Sequence, residues 1–189
     1  MCIRDRFIAA SVIVTRVDGF AMLPNFSFAT AMTTYAGQNI GAKKLDRLHQ
    51  GARQGMIMGL AVSTVITATI LFFGRGLMSI FTDTHEIVEL SMKMMQILAV
   101  GYIAMAVIQS LSGVMRGAGD TLTPMVISMI MMIGIRVPLA YVMVYLTRST
   151  EYPIGRSECI YWSLLISWII GAILSIVAYR RGKWTGKGI

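Results

Sequence analysis

The 189-residue chain is more apolar and less charged than a water-soluble domain: 56% of its residues are hydrophobic, 14% are charged and the mean hydropathy is +0.68. Soluble domains average about 45–50% apolar and about 25% charged residues, so this composition excludes a disordered chain, a coiled coil and an ordinary soluble enzyme. The formal net charge is +8, but the basic residues lie between long apolar runs. This pattern excludes a nucleic-acid-binding domain and is typical of a protein that crosses a membrane several times.

Five apolar runs reach the length of about 20 residues that a helix needs to cross a hydrocarbon core roughly 30 Å thick. In chain order they cover residues 10–38, 55–73, 94–115, 125–146 and 160–179. Arg16, Asp18 and Pro24 interrupt the first run. The predicted fold is therefore an all-α integral membrane protein of five transmembrane helices. The helical bundle is predicted over residues 7–181, after a leader at residues 1–6 and before a tail at residues 182–189.

Lysine and arginine are distributed unequally between the two sides of this bundle. One side carries nine of them: Lys43, Lys44, Arg47, Arg53, Arg116, Arg180, Arg181, Lys183 and Lys187. The other side carries Arg75, Arg148 and Arg156, or six residues when Arg4, Arg6 and Lys93 are added. Because cytoplasmic loops are enriched in Lys and Arg, the first side is predicted to face the cytoplasm of a plasma (inner) membrane. The C-terminus is then inside and the N-terminus outside.

The leader Met1–Arg6 does not read as a signal peptide, since it has no basic region followed by an apolar core and a small-residue cleavage site. Two interpretations follow. Either the chain is a fragment of a longer protein and residues 1–6 are not a native start, or it is a five-span protein with an exported N-terminus. The odd number of spans favours the fragment.

The first predicted span carries polar residues on two faces. By the 3.6-residue period one face holds Arg16, Ser27, Thr30, Thr34 and Gln38, and Asp18 lies on the opposite face. Counting from Lys43 at about 1.5 Å per residue places Asp18 roughly 37 Å away, near the outer headgroups. Asp18 and Arg16 are then either hydrated interfacial residues or a cation-attracting pair at an outer vestibule. Pro24, next to Asn25, is expected to kink this helix.

Arg136 lies near the middle of the fourth run, where a charge costs at least about 2.5–3.5 kcal/mol on insertion scales. It is therefore predicted to mark either a functional site or a buried pair. No acidic residue is counted deep in the five runs, so a carboxylate partner is expected outside this chain. Gln109 is either a contact between helices or part of a pathway. The candidates for a substrate or ion pathway are Arg136, Gln109, Tyr102, Asn25, Thr30, Thr34 and Asp18.

Groups for catalysis are not found. His49 and His85 lie in different loops on opposite sides, and no phosphate-binding Gly-Lys-Ser/Thr loop or intramembrane carboxylate pair occurs. Cys2 and Cys159 are too few for a disulfide framework or a metal site. We therefore expect no enzyme activity, no metal and no cofactor. If the protein does work, it moves something across the membrane with energy from an ion gradient or a partner.

The linker from Arg116 to Pro124 is predicted to end one helix and begin the next. Gly117 or Gly119 is expected to adopt the left-handed conformation after the helix. Thr123 is expected to cap the next helix and Pro124 to occupy its first position.

Two of these loops resemble those of MATE (multidrug and toxic compound extrusion) transporters. The first is Gly37-Gln38-Asn39-Ile40-Gly41-Ala42, followed by basic residues, which is similar to the loop that ends the second helix of a MATE lobe. The second is Arg116-Gly117-Ala118-Gly119-Asp120-Thr121, which leads to Pro124 and resembles a later loop of the family. The stretch Arg16–Pro24 is also similar in style. The resemblance covers residues 10–181.

The resemblance implies two six-helix lobes around a central cavity, with alternating access driven by Na⁺ or H⁺. This chain would be the last five helices, that is, most of the C-terminal lobe. The counterpart of the tenth helix, Met94–Met115, has no carboxylate, so a coupling site is expected in the N-terminal lobe or in the helix before this segment. The implied partners are the lipid bilayer, the N-terminal lobe and small organic substrates, organic cations among them.

Three functions remain open from the sequence. The first is a cation-coupled exporter of drugs or metabolites. The second is a flippase of the same superfamily for lipid-linked saccharide or polysaccharide, which needs a more cationic cavity for a phosphate head group; Arg136 and Arg16 are the residues that could serve there. The third is a non-transporting membrane scaffold subunit.

Overall fold

The structure, a computed structural model, describes residues 3–147 and 159–182, and its elements there are helices. In order they are α1 (Ile3–Gly41), α2 (Leu45–Ser79), α3 (His85–Gly117), α4 (Leu122–Met129), α5 (Val137–Leu146) and α6 (Cys159–Arg180). A π-helical segment, Ile130–Arg136, joins α4 to α5 without a break. These three pieces form one long helix, here called the fourth span. The predicted five spans are confirmed by five helices that are long and apolar enough to cross a membrane.

Some sequence-based predictions fall outside the described residues. They concern residues 1–2 of the leader, Arg148 and Arg156 of the fourth loop, and the tail from residue 183 onward. Residues 3–6 of the predicted leader continue α1 without a break, and Arg6 forms an ion pair with Glu86 at the start of α3. α1 also continues through Pro24 as a single helix.

α3 is the central helix of the bundle. It packs against α1, α2, α6 and α4, and its buried residues extend from Ile87 to Met115. α5, by contrast, has no buried residue among those the structure describes. Because each helix reverses the direction of the one before it, α1 and α3 run parallel. Their contacts follow one register, from Ser91 beside Ala10 to Gly113 beside Thr33.

Small residues spaced four apart lie on one face of a helix and allow membrane helices to approach closely. In α6 the stripe of Cys159, Ser163, Ser167, Gly171 and Ser175 is buried. The closest approach is between α1 and α3. A Cβ added at Gly113 would collide with the carbonyl oxygen of Ala29, and Thr33 donates a hydrogen bond to the carbonyl of Gly113 at 3.1 Å.

The ends of α1, α3 and α6 and the starts of α2 and α4 meet at one end of the bundle, here called the basic end. It carries Lys43, Lys44, Arg47, Arg53, Arg116, Arg180 and Arg181. At the opposite end, Arg75 forms an ion pair with Glu89 at 3.2 Å. The unequal distribution of Lys and Arg that the sequence predicts is therefore present in the fold.

The turn between α3 and α4 corrects one prediction and confirms another. Gly119 has φ of +85°, the left-handed conformation that was predicted for it or for Gly117. The prediction that Thr123 caps the next helix with Pro124 at its first position is wrong, because α4 begins at Leu122. Buried Asp120 accepts hydrogen bonds from the backbone N–H of Thr123 at 3.3 Å and from its hydroxyl at 2.6 Å. The two carboxylate oxygens of Asp120 take one bond each, Oδ1 from the N–H and Oδ2 from the hydroxyl.

The close approach of α1 and α3 gives a first prediction. Gly113→Ala is expected to lower the free energy of unfolding by about 1–3 kcal/mol, because the new methyl group must push α1 away. The matched control is Gly19→Ala in α1, where an added Cβ meets nothing within 4 Å. This control should be neutral or stabilising, since Ala favours helix over Gly. SDS unfolding of the detergent-solubilised protein measures both; equal stabilities of the two variants would contradict the packing.

Candidate functional site

A part-buried hydrogen bond joins α1 to α3 in the middle of the bundle. The hydroxyl of Tyr102 donates to Oδ1 of Asp18 at 2.8 Å and also lies 3.7 Å from the sulfur of Met95. Tyr102 lies about 20 Å along α3 from both Glu89 and Arg116, which mark the two ends. Asp18 is therefore held at mid-bundle depth.

This position corrects two predictions made from the sequence. The prediction that Asp18 lies near the outer headgroups is wrong, and so is the prediction that no carboxylate lies deep in the five spans. The prediction takes Lys43 as the point where α1 enters the lipid and measures the depth of Asp18 from there. α1 has 39 residues, however, and is about 58 Å long, so it extends well beyond a hydrocarbon core of roughly 30 Å. Asp18 is consequently much deeper than the count suggests.

Arg136 lies at the same depth on the fourth span, about 21 Å along the helix from Leu122. It is half-buried, and it is close enough to Asp18 for its positive charge to stabilise the carboxylate electrostatically. Among the described residues, the ion pairs within 4 Å are those of Arg6 and Arg75, so Arg136 and Asp18 are not in direct contact. A carboxylate of this chain thus lies at the depth of Arg136 without contacting it, and a contacting partner outside this chain stays a prediction.

The backbone at Arg136 is unusual. Arg136 ends the π-helical segment, and Pro138 follows two residues later as part of α5. A proline cannot donate a hydrogen bond to the residue four positions before it, and its ring clashes with that carbonyl in an α-helix. The wider π-helical turn before Pro138 relieves this conflict. Such segments occur frequently at functional sites, and this one ends at Arg136.

Arg136 lines a cavity of about 310 Å³ between α3, the fourth span and α6. We call it the arginine cavity, because two of its lining residues are Arg116 and Arg136. Its other polar lining residues are Gln109, Ser112, Thr121, Ser128 and Ser167. Its apolar lining includes Trp168, Ile108, Pro124 and the methionines 105, 125, 131 and 132. No Asp or Glu is among the lining residues, so the cavity has a positive character.

A second cavity, of about 340 Å³, lies between α1 and α3. We call it the threonine cavity, after Thr30, Thr33 and Thr34 on α1. Gln109 and Arg116 line it as well as the arginine cavity. These two side chains of α3 therefore lie between the two cavities.

The structure divides the seven pathway candidates into two groups. Arg136, Gln109, Thr30 and Thr34 line the two cavities. Asp18, Tyr102 and Asn25 instead lie in contacts between helices, and none of them is a lining residue of either cavity. The side-chain carbonyl of buried Asn25 accepts a hydrogen bond from Ser63 of α2 at 2.8 Å.

The residues that sequence reasoning missed in the arginine cavity include Ser112 and Trp168. The sequence predicts Arg116 as a basic residue of a family-like loop, and the structure shows that it also lines both cavities. Gln109, Ser112 and Arg116 follow the helical spacing of three and four residues, so this face could have been found by extending the stripe from Gln109. Trp168 could not, because its place depends on how α6 packs against α3.

The two family-like loops meet at the basic end. Gly37 lies beside the carbonyl of Gly117. A Cβ added at Gly117 would collide with the carbonyl oxygen of Thr33 in α1, whereas one at Gly37 would be in ordinary van der Waals contact. The side chain of Asn39 donates to the carbonyl of Tyr35 at 2.8 Å, and Lys43, just after Gly41, has φ of +55°. Gln38, Asn39 and Gly41 thus lie in the last turn of α1, just before the tight turn that follows it. Arg116, Thr121 and Pro124 differ from them in lining the arginine cavity.

The bond between Tyr102 and Asp18 gives a second prediction. Tyr102→Phe is expected to lower the free energy of unfolding by about 1–3 kcal/mol, because it leaves a deep carboxylate without its donor. The matched control is Tyr141→Phe, whose ring is 75% exposed on α5 and whose hydroxyl should matter by less than about 0.5 kcal/mol. SDS unfolding of both variants measures the difference. Equal stability of the two variants would show that the hydrogen bond contributes nothing.

Comparisons with known proteins agree with this architecture. The MatE family model matches residues 3–142. The chain is 28% identical over 174 residues to the probable multidrug resistance protein NorM of Thermotoga maritima, covering 92% of this chain and 36% of that protein. It is 30% identical over 140 residues to the probable multidrug resistance protein YoeA of Bacillus subtilis, covering 74% of this chain and 30% of that one. The chain therefore spans about a third of the length of these relatives.

Its fold is also that of a solved transporter. The structure of the MATE transporter ClbM in complex with Rb⁺ superposes with a TM-score of 0.84 over 97% of this chain and 42% of that chain, at 18% sequence identity. The predicted fold class, five membrane-length helices that form most of one MATE lobe, is thereby confirmed. On the family match and the shared fold, this multi-pass membrane chain belongs to the MATE family of transporters.

Proposed function

We propose that the whole protein is a secondary active transporter that exports drugs or metabolites in exchange for Na⁺ or H⁺, and that this segment lines part of its pathway. The observation that carries the proposal is the arginine cavity, which has both polar and apolar lining residues and extends from the basic end to mid-bundle depth. Relatives named as multidrug resistance proteins support drugs as substrates. The Rb⁺ in the related ClbM structure supports a monovalent coupling ion.

The basic end faces the cytoplasm in this proposal, in a plasma membrane. Lys and Arg are enriched in cytoplasmic loops. In the described part of the chain, the basic end carries seven of them. The arginine cavity then opens toward the cytoplasm near Arg116. The partners of the segment are the lipid bilayer and the N-terminal lobe of the same transporter.

Asp18 is not the coupling carboxylate in this proposal. Its carboxylate already accepts the hydroxyl of Tyr102 and balances the charge of Arg136, so it acts as a counter-charge that allows an arginine at this depth. The coupling site is assigned to the N-terminal lobe or to the helix that precedes this segment in its relatives.

A flippase for lipid-linked saccharides is the second candidate function. It needs a cationic cavity for a phosphate head group, and two arginines with no lining carboxylate favour it. Arg116 and Arg136 provide this charge. Arg16, which the sequence offered for the same role, is exposed and does not line the arginine cavity.

The test is dye efflux from phosphatidylcholine vesicles that contain the full-length transporter. Efflux is expected to collapse when the Na⁺ or the H⁺ gradient is removed. Arg136→Met should slow efflux by about tenfold or more, the effect of losing one charged hydrogen bond, with a much smaller loss of folded protein. Arg75→Gln, at the opposite end of the bundle, is the matched control and should transport normally. Efflux that ignores both gradients would contradict the proposal.

A further inference from the structure

We propose that the arginine cavity binds an organic anion, with a carboxylate or phosphate group on an apolar or aromatic body. The inference rests on the proposed transport function and names its substrate class. The cavity contains two guanidinium groups and no carboxylate among its lining residues. This charge balance suits an anion and disfavours the organic cations that the sequence had suggested as substrates.

The two arginines stand at different depths along the cavity. Arg116 is one residue before the end of α3, at the basic end, and Arg136 lies about 20 Å deeper in the bundle. Gln109 lies between these levels and offers an amide that can donate or accept. An anion that enters at the basic end therefore meets a guanidinium at the mouth and a second one at the end of the path.

Both guanidinium groups keep donors for a ligand. In residues 3–147 and 159–182, no hydrogen bond and no ion pair within 4 Å engages the guanidinium group of Arg116 or of Arg136. The planar guanidinium presents paired N–H groups that match carboxylate and phosphate oxygens. At mid-bundle depth this attraction is stronger than at the surface, because less water screens it.

The remaining lining explains why the anion should carry an apolar body. Met105, Met131 and Met132 line the cavity, and Trp168 supplies an indole ring beside them. Methionine adapts to irregular apolar shapes, and aromatic side chains stack on flat ones. The ligand class is therefore an amphipathic anion and not a small inorganic ion.

The effect of Asp18 on an anion bound near Arg136 agrees with its role as a counter-charge to Arg136. Its carboxylate lies outside the cavity lining, behind Tyr102, and partly offsets the field of Arg136. A cation or proton bound at Asp18 would remove that offset and strengthen the hold of Arg136 on an anion. An exchanger requires the opposite, since its two ions must displace each other, which is why coupling is assigned elsewhere.

The experiment measures binding of three probes with the same apolar body to the full-length transporter in phosphatidylcholine nanodiscs. The probes are 1-naphthoate, 1-naphthylmethylammonium and neutral 1-naphthamide, and equilibrium dialysis gives each dissociation constant. We expect the anion to bind at least about tenfold more tightly than the cation, with the amide between them. Equal affinities, or tighter binding of the cation, would overturn the proposal.

The variants locate the effect. Arg136→Met should weaken naphthoate binding by about tenfold or more, and Arg116→Gln should weaken it less, because that position is more hydrated. Binding of naphthamide should not change in either. Arg136→Lys keeps the charge and should retain the preference for the anion, which serves if Arg136→Met does not fold. Arg75→Gln is the control. Unchanged naphthoate binding in both Arg136→Met and Arg116→Gln would overturn the proposal.

Two further measurements distinguish a free organic anion from an anionic lipid, and a failure of binding from a failure of transport. 1-Naphthyl phosphate stands for a free organic anion and dodecyl phosphate for an anionic lipid; tighter binding of one, lost in Arg136→Met, identifies the source. Binding of neither, with naphthoate also absent, would overturn the inference. Binding of naphthoate without any gradient-driven efflux would instead contradict the proposed function alone, because binding needs no gradient.

Discussion

The positive charge of Arg136, held in the middle of a membrane-length helix, is the constraint on which this lobe depends. A charge at that depth costs at least about 2.5–3.5 kcal/mol on insertion scales unless a partner or a polar cavity stabilises it. The carboxylate of Asp18 lies at the same depth as a counter-charge that does not touch the guanidinium. The arginine cavity places hydroxyl and amide side chains on the same lining as Arg136.

The close packing of α1 on α3 makes this arrangement possible. Glycine at position 113 lets the two helices touch along one register, and the same register sets Asp18 against Tyr102. The ring of Tyr102 also lies 6.3 Å from that of Trp168, which lines the arginine cavity. Packing, charge balance and cavity shape are thus connected through the central helix α3. A change at the interface between α1 and α3 is expected to reach the cavity through these rings.

The sequence predicts the architecture of this lobe well, because apolar length and the placement of Lys and Arg are local properties. The five spans and the basic end follow from them directly. The depth of Asp18 does not, since it depends on how far α1 extends beyond the lipid and on its register with α3. The sequence predicts Thr123 as the cap of α4, but Asp120 accepts the capping hydrogen bond. Both residue types favour caps, so only the geometry of the turn separates them. Arg116 appears in the sequence as a loop residue, and its place in two cavities emerges only when α1, α3 and the fourth span are packed together.

A double-mutant cycle of Asp18→Asn and Arg136→Met tests the central claim most directly, with SDS unfolding of the full-length protein as the measurement. If the carboxylate balances the guanidinium across the bundle, each single change leaves the other charge without compensation. The double variant should then lose less stability than the sum of the two single losses, by about 0.5–3 kcal/mol, the range found for coupled pairs. Strictly additive losses would show that Arg136 does not depend on Asp18, and would contradict the account.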